Sequence, residues 1–485
     1  MEGNRSAGQG AVRSGLLTGV STAAVSGSAA VLGVILARKF GHGVKTDGFF
    51  GAYGAYLGLV LVAGSLRVIV LPRFVAARAD GRLGAEVGTW VAALAAPLAL
   101  VIVLAEAWPR GIASALTSNP AAQEQAAALL PWIVPSAVAQ IVGGLVASAL
   151  AALDDYEWAA FGFAGGSVAG VVLTLALVGH GVVAFGWGLA LNGALSLAIP
   201  LVPLLARGGV GRPDERFWGR LLELGEGVAL PVALQGLYLV AYRFASGLGT
   251  GRATTFAYAY LIAAFLVAIT ASSVALVATV PFAREGSSAI RVTRHVVAIS
   301  WLSLALVAGA AGVFGLVSEQ IVQRVLGSSY GGGTGAELGR LVVYLAPWLV
   351  ASVAVTVTYP LVFVRGRTRW LPLLAAAAIG GQVLIEWGAR AAFGLAGVAA
   401  GLALTTALVL AVLLARLGAL VSVARGLAIA AIICGGLAAV AFGLPRLAVG
   451  PIPAAVAGLM AYTVVLVVWR PAGLRQAWAY LRTLQ

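Results

Sequence analysis

The chain has 485 residues, of which 61% are hydrophobic and only 10% charged, with a mean hydropathy of +1.00. A soluble protein of this length keeps about a quarter of its residues charged, so a soluble fold is excluded, and the lack of short segments of alternating polarity excludes a transmembrane β-barrel. The formal net charge of +14 comes from basic residues flanking apolar runs, so no nucleic-acid partner is expected.

Runs of roughly 20 apolar residues, the length that crosses hydrocarbon, recur from end to end. Between charged or Pro/Gly-rich breaks they predict spans at 16–38, 49–71, 86–107, 126–152, 157–179 and 182–206. Six more are expected at 222–248, 254–282, 291–317, 341–364, 370–389 and 392–415, and a last pair at 426–444 and 448–469. The expected fold class is therefore an all-α polytopic membrane protein of about fourteen transmembrane helices. A weak internal repeat relates GAYGAYLGLVLVAGSLRVIVLP (51–72) to AYAYLIAAFLVAITASSVALVATVP (257–281), which end at Pro72 and Pro281. It divides the chain into two six-helix bundles, 1–208 and 209–417, followed by 418–485 with two extra spans and a short tail. Duplicated bundles of this kind are common in secondary transporters.

Placing the N-terminus in the cytoplasm puts most basic residues on the inner side, among them Arg73, Arg78, Arg82, Arg207, Arg212, Arg216 and Arg220. By the positive-inside rule both termini are then cytoplasmic, in a multi-pass plasma-membrane protein. The acidic turn from Asp154 to Glu157 runs against this trend. The first apolar run leads directly into further spans, so no cleavable signal peptide is expected. Cys434 is the sole cysteine, and His42, His180 and His295 lie far apart. No disulfide, metal centre or other cofactor is expected.

Ionisable residues at membrane depth are costly and serve as functional candidates by default. Arg67 follows eighteen uncharged residues, Phe49 to Leu66. Its guanidinium could bind phosphate oxygens from a watery cleft, or snorkel past Pro72 toward Arg73. Gln235 and Arg243 lie two turns apart on nearly one face of the seventh span. They line a cavity, unless Arg243 reaches the outer interface beside Arg252. Gln382 and Glu386, at i and i+4 in the eleventh span, could ligate a monovalent cation or carry a proton. Alternatively, Glu386 pairs with Arg390 one turn later. Glu223 and Glu226 suit an interfacial charge pair with Arg220. Pro131, Pro135 and Pro231 are expected to kink or break their spans. The spacing of Gly162, Gly166 and Gly170, repeated at Gly397 and Gly401, suits close helix packing.

ARKFGHGVKTDGFFGAY (37–53) resembles the first-loop signature of the lipid II flippase (MurJ/MviN) family of the multidrug/oligosaccharidyl-lipid/polysaccharide exporter superfamily. The matching residues are Ala37, Arg38, Phe40, Gly41, Gly43, Thr46, Asp47, Phe49, Phe50 and Ala52. LQGLYLVAYRFASGLGTGRATTFAYAY (234–260) is similar to the family's seventh and eighth helices at Gln235, at 245–248 and at 258–259. The resemblance implies an alternating-access flippase or exporter for a polyprenyl-pyrophosphate-linked sugar such as lipid II, driven by membrane potential or a cation. It places the span of Arg67 against the central cavity. In that reading Arg67 and Arg243 hold the anionic headgroup, Asp47 structures the first loop against Arg38 or Lys45 and secondarily touches substrate, and the last two spans cradle the lipid tail. The family's cavity arginines are not matched: Ser26, Leu32, Val60 and Leu261 stand in their places, Tyr260 replaces an aspartate and Ala241 a polar residue. That departure points to an alternative cargo, another lipid-linked glycan or a small molecule, and a non-transporting membrane scaffold is the third reading. With no nucleotide cradle, metal cluster or catalytic dyad in the sequence, an enzyme is not expected.

Overall fold

A computed structural model describes residues 21, 23–214, 217–267, 289–364 and 368–483, and among them there is no β-strand. The chain forms two compact units, Met1–Gly251 with Leu371–Ala375, and Arg252–Trp370 with Ala376–Gln485.

In the first unit the chain runs through α1 (Ala23–Phe40), α2 (Val44–Ala79), α3 (Leu83–Ala107) and a short α4 (Pro109–Leu116). It continues through α5 (Pro120–Ala152), α6 (Glu157–Leu177), α7 (Val183–Ala206) and α8 (Phe217–Ser246). Local chemistry sets several of these ends. Prolines open α4 and α5 at positions where no N–H is needed, and the Asn119 side chain accepts the Ala121 N–H at 3.0 Å. Gly81 and Gly208, with φ of +69° and +62°, turn the chain after α2 and α7.

Helix α5 is the buried axis of this unit, packed along α2 and α7, with α6 laid on α7 and α8 on α2. At one end Leu66, Val70, Phe74, Trp90, Leu145 and Leu150 form a continuous apolar core. The α6–α7 contact is backbone-close. A Cβ on Gly166 would fall 2.8 Å from the Asn192 carbonyl, and one on Gly170 would fall 2.6 Å from that of Gly188. Pro131, Pro135 and Pro231, expected to kink or break their spans, sit inside helices that continue through them.

The second unit contains α9 (Arg252–Val267), α10 (Ala289–Leu326), α11 (Gly333–Tyr344) and α12 (Ala346–Val364). It ends with α13 (Leu371–Arg416), α14 (Leu420–Ala448), α15 (Pro451–Trp469) and a terminal α16 (Ala472–Thr483). Helix α10 loses helical geometry at Val317, where the ninth expected span ends. The single span expected at 341–364 is instead α11 and α12 meeting at 44°, because the helix restarts early, after the glycine run at 331–333.

Helix α13 has 46 residues, about 70 Å at 1.5 Å each, more than twice the hydrocarbon thickness. It is a helical hairpin. Gly394 adopts φ +58° and ψ −130°, and a Cβ on Gly397 would fall 1.9 Å from the Ala389 carbonyl, a contact a straight helix cannot make. The two arms correspond to the eleventh and twelfth expected spans.

With both arms counted and α11–α12 taken as one, thirteen spans lie among the described residues. The remaining expected span, 254–282, is described through α9 only. Pro281 and much of the second repeat copy lie outside the described residues. The chain is a polytopic all-α membrane protein. Trp301, Leu304, Cys434 and Leu474 tie α10, α14 and α16 into one core, while Phe442 and Tyr462 join α14 to α15.

Candidate functional site

The strongest chemical feature of the second unit lies inside the α13 hairpin. Gln382 and Glu386 are one turn apart on its first arm, and both are fully buried. The Gln382 amide Nε2 donates to Glu386 Oε1 at 2.5 Å. The other two oxygens, Gln382 Oε1 and Glu386 Oε2, have no hydrogen-bond partner among the described residues. The returning arm brings Gly401 against the carboxylate, where a Cβ would stand 2.9 Å from Glu386 Cδ and 3.0 and 3.1 Å from its oxygens. Thr405 and Thr406, on that arm, spend their hydroxyls on the Gly401 and Leu402 carbonyls.

Among the described residues Glu386 Oε2 has no hydrogen-bond partner, so the alternative hydrogen-bonded pairing with Arg390 is not made there; the carboxylate lies against Gly401 and accepts from Gln382. A carboxylate removed from water without a compensating charge is costly. Two unpartnered oxygens, one from a carboxylate and one from an amide, form a hard donor set that fits a proton or a small monovalent cation. Among the described residues no three His, Cys, Asp or Glu side chains gather as a metal centre would require.

The candidates of the first unit are spread along α2 and α8. Asp47, in the first turn of α2, is buried, and its Oδ2 accepts the Gly251 N–H at 2.7 Å. Its carbonyl accepts the Tyr242 hydroxyl. Gly251 has φ +82°, and a Cβ there would strike the His42 ring at 2.1 Å, so this loop closes only around glycine. Gln235 is buried and its amide donates to the Gly54 carbonyl at 3.2 Å, fastening α8 to α2. Arg243 is exposed, and its Nη1 donates to the carbonyl of Ser114 and to that of Thr117 at 3.2 Å, satisfying the C-terminal end of α4. The two residues therefore engage different neighbours.

Arg67 stands on the exposed face of α2 and makes no hydrogen bond or ion pair among the described residues. Six residues on, about 9 Å along the axis, Arg73 pairs with Glu223 at 2.7 Å.

Sequence reasoning missed two groups. Gln140, buried in α5, donates to the Tyr56 hydroxyl at 2.6 Å, and a glutamine in an apolar run was its available signal. Glu223 belongs to a larger network than the pair with Arg220. Arg73 holds one of its oxygens, and Arg220 reaches the other at 3.5 Å and Glu86 at 2.9 Å, with the Trp90 indole donating to Glu86 at 3.1 Å. These partners come from α2, α3 and α8, a combination that spacing along one helix cannot show.

The lipid II flippase MurJ, solved in an inward-closed conformation, matches 95% of this chain and 99% of its own length at a TM-score of 0.73 and 13% identity. The chain shares the MurJ fold. A multidrug-resistance MATE family transporter of the MOP superfamily, solved facing inward, follows with 81% of this chain, 94% of its own, TM-score 0.65 and 14% identity. The eukaryotic MATE transporter AtDTX14 matches 88% of this chain and all of its own length at TM-score 0.54 and 13% identity. No protein-family profile and no curated protein sequence matches the chain.

Proposed function

We propose that the chain is an alternating-access flippase or exporter that moves a polyprenyl-pyrophosphate-linked sugar, lipid II or a similar precursor, across the cytoplasmic membrane. The observation that carries this reading is a whole-chain likeness to a lipid II flippase joined to a buried acid held inside one of its helical hairpins. Binding of a proton or monovalent cation at Gln382 and Glu386 neutralises that hairpin and couples transport to the ion gradient. Arg67 and Arg243 contact the anionic headgroup. Gln235 and Asp47 line and shape its path. Both termini are cytoplasmic, and the repeat divides the chain at 208 and 417.

A second cargo on the same scaffold, another lipid-linked glycan or a small molecule, is favoured by one observation. Ser26, Leu32, Val60 and Leu261 stand where the lipid II flippases carry arginines. Expression in cells depleted of their own lipid II flippase separates the two readings. Restored growth that is lost with Arg67→Ala supports lipid II, whereas failure of the folded, membrane-inserted protein to restore growth points to the other cargo.

A further inference from the structure

A cavity of about 440 Å³ opens in the second unit where the first described turns of α10, the start of α14 and the terminal helix α16 meet. Its volume falls in the range of ligand-sized clefts. Its wall is apolar at Ile290, Val297 and Ala298, and polar at Arg294, Thr293, Ser422 and Gln476. The Thr293 and Ser422 hydroxyls lie 2.9 Å apart, joining α10 to α14 along one side. Arg294 is exposed and forms no ion pair among the described residues. The surrounding segments 289–298, 416–426 and 470–483 also carry Arg291, Arg416, Arg425, Arg470, Arg475 and Arg482, with no aspartate or glutamate. Such a field selects an anion, and a guanidinium flanked by hydroxyls and an amide suits phosphate oxygens.

The character of α16 distinguishes the source of that phosphate. Leu474 and Ala477 are buried against α10, and Tyr480 bonds to His295 at 2.9 Å, so the helix is anchored by one face. Arg475, Gln476, Trp478 and Arg482 of this helix are exposed, Gln476 on the cavity side. Exposed tryptophans at 469 and 478 bracket the start of this helix, as aromatic side chains do at the level of lipid headgroups. A soluble anion has no need of that apolar and aromatic surround.

We propose that this cavity is a binding site for the phosphate-bearing headgroup of an anionic membrane phospholipid, with Arg294 as its principal contact and α16 as its wall. The proposal does not rest on the transport path proposed above.

The test is native mass spectrometry of the full-length chain released from detergent, titrated with phosphatidylglycerol or phosphatidylcholine. Phosphatidylglycerol is expected to be retained in preference to phosphatidylcholine. Arg294→Gln should lower its retention by about fivefold, the effect of one interfacial arginine, while Arg294→Lys retains most of it. Arg446→Gln, at the other end of α14, should leave retention unchanged. Equal retention of the two lipids, undiminished retention by Arg294→Gln, or displacement of the lipid by millimolar inorganic phosphate would each overturn the assignment. If Arg294→Gln does not fold, Gln476→Leu carries the same test, since it removes a headgroup contact from an exposed position without changing charge.

Discussion

Gly401 lies directly against the carboxylate of Glu386, so close that a Cβ on the glycine would stand 2.9 Å from Glu386 Cδ. The hairpin turn at Gly394 creates this contact between residues that share one hydrophobic stretch but lie on antiparallel arms. Enlarging Gly401 must therefore move the carboxylate or part the arms. Gly401→Val is expected to cost about 1–3 kcal/mol by overpacking, read as a fall in the thermal unfolding midpoint in detergent, and to abolish ion-dependent transport in proteoliposomes.

Glu386→Gln tests the charge without the steric change. It keeps the shape of the side chain and removes the ionisable group, so the apparent unfolding midpoint should hold or rise, because a buried unpaired carboxylate is a stability cost. Transport should lose its dependence on the pH or cation gradient. A variant that keeps full gradient dependence would exclude Glu386 from coupling.

The spans were legible in the sequence because uninterrupted apolar length is a direct requirement of the hydrocarbon core. The break at Val317 falls where the hydropathy pattern placed a span end, and the one at Gly394 falls two residues inside the expected start of the twelfth span. The early start of α11 and the helical order of α16 were not legible, since both lie in segments that resemble loop or tail by composition. The Gln382–Glu386 pair was visible as an i,i+4 spacing. Its contact with Gly401 was not, because that depends on the fold-back of a second arm. Arg243 illustrates the limit on side-chain fate: the sequence gives its depth along α8, while its bonds to the α4 carbonyls come from a helix that hydropathy did not register.

At the start of α2, the Asp47 carboxylate accepts the Gly251 N–H at 2.7 Å. Asp47→Ala leaves that donor without its acceptor, at an expected cost of about 1–3 kcal/mol. The midpoint of thermal unfolding should fall accordingly. Asp47→Asn, which keeps an acceptor oxygen, should recover most of the loss. Equal destabilisation by both variants would show that charge, not this bond, matters at the position.

The α6–α7 seam depends on backbone proximity more than on any side chain. A Cβ on Gly188 would meet the Thr174 hydroxyl at 2.0 Å and the Gly170 carbonyl at 2.5 Å, and the carbonyl cannot rotate away. Gly188→Val is expected to destabilise the protein by about 1–3 kcal/mol or more. Gly165→Val, on the facing helix α6 with nothing within 4 Å of its added Cβ, is the control and should leave the unfolding midpoint nearly unchanged.

Arg67 separates a binding role from a membrane-anchoring one by the pattern across three substitutions. Its side chain is exposed and unpartnered among the described residues, so Arg67→Ala should alter stability by no more than about 0.5 kcal/mol, as at other surface positions. If the guanidinium grips phosphate oxygens with paired donors, lysine is an imperfect replacement, because it offers a point charge in place of a planar fork. Growth rescue should then fall in the order Arg, Lys, Gln, Ala, with protein levels constant on membrane blots. If the side chain only snorkels toward the level of Arg73, lysine will serve as well as arginine and glutamine nearly so, and the three variants will rescue alike.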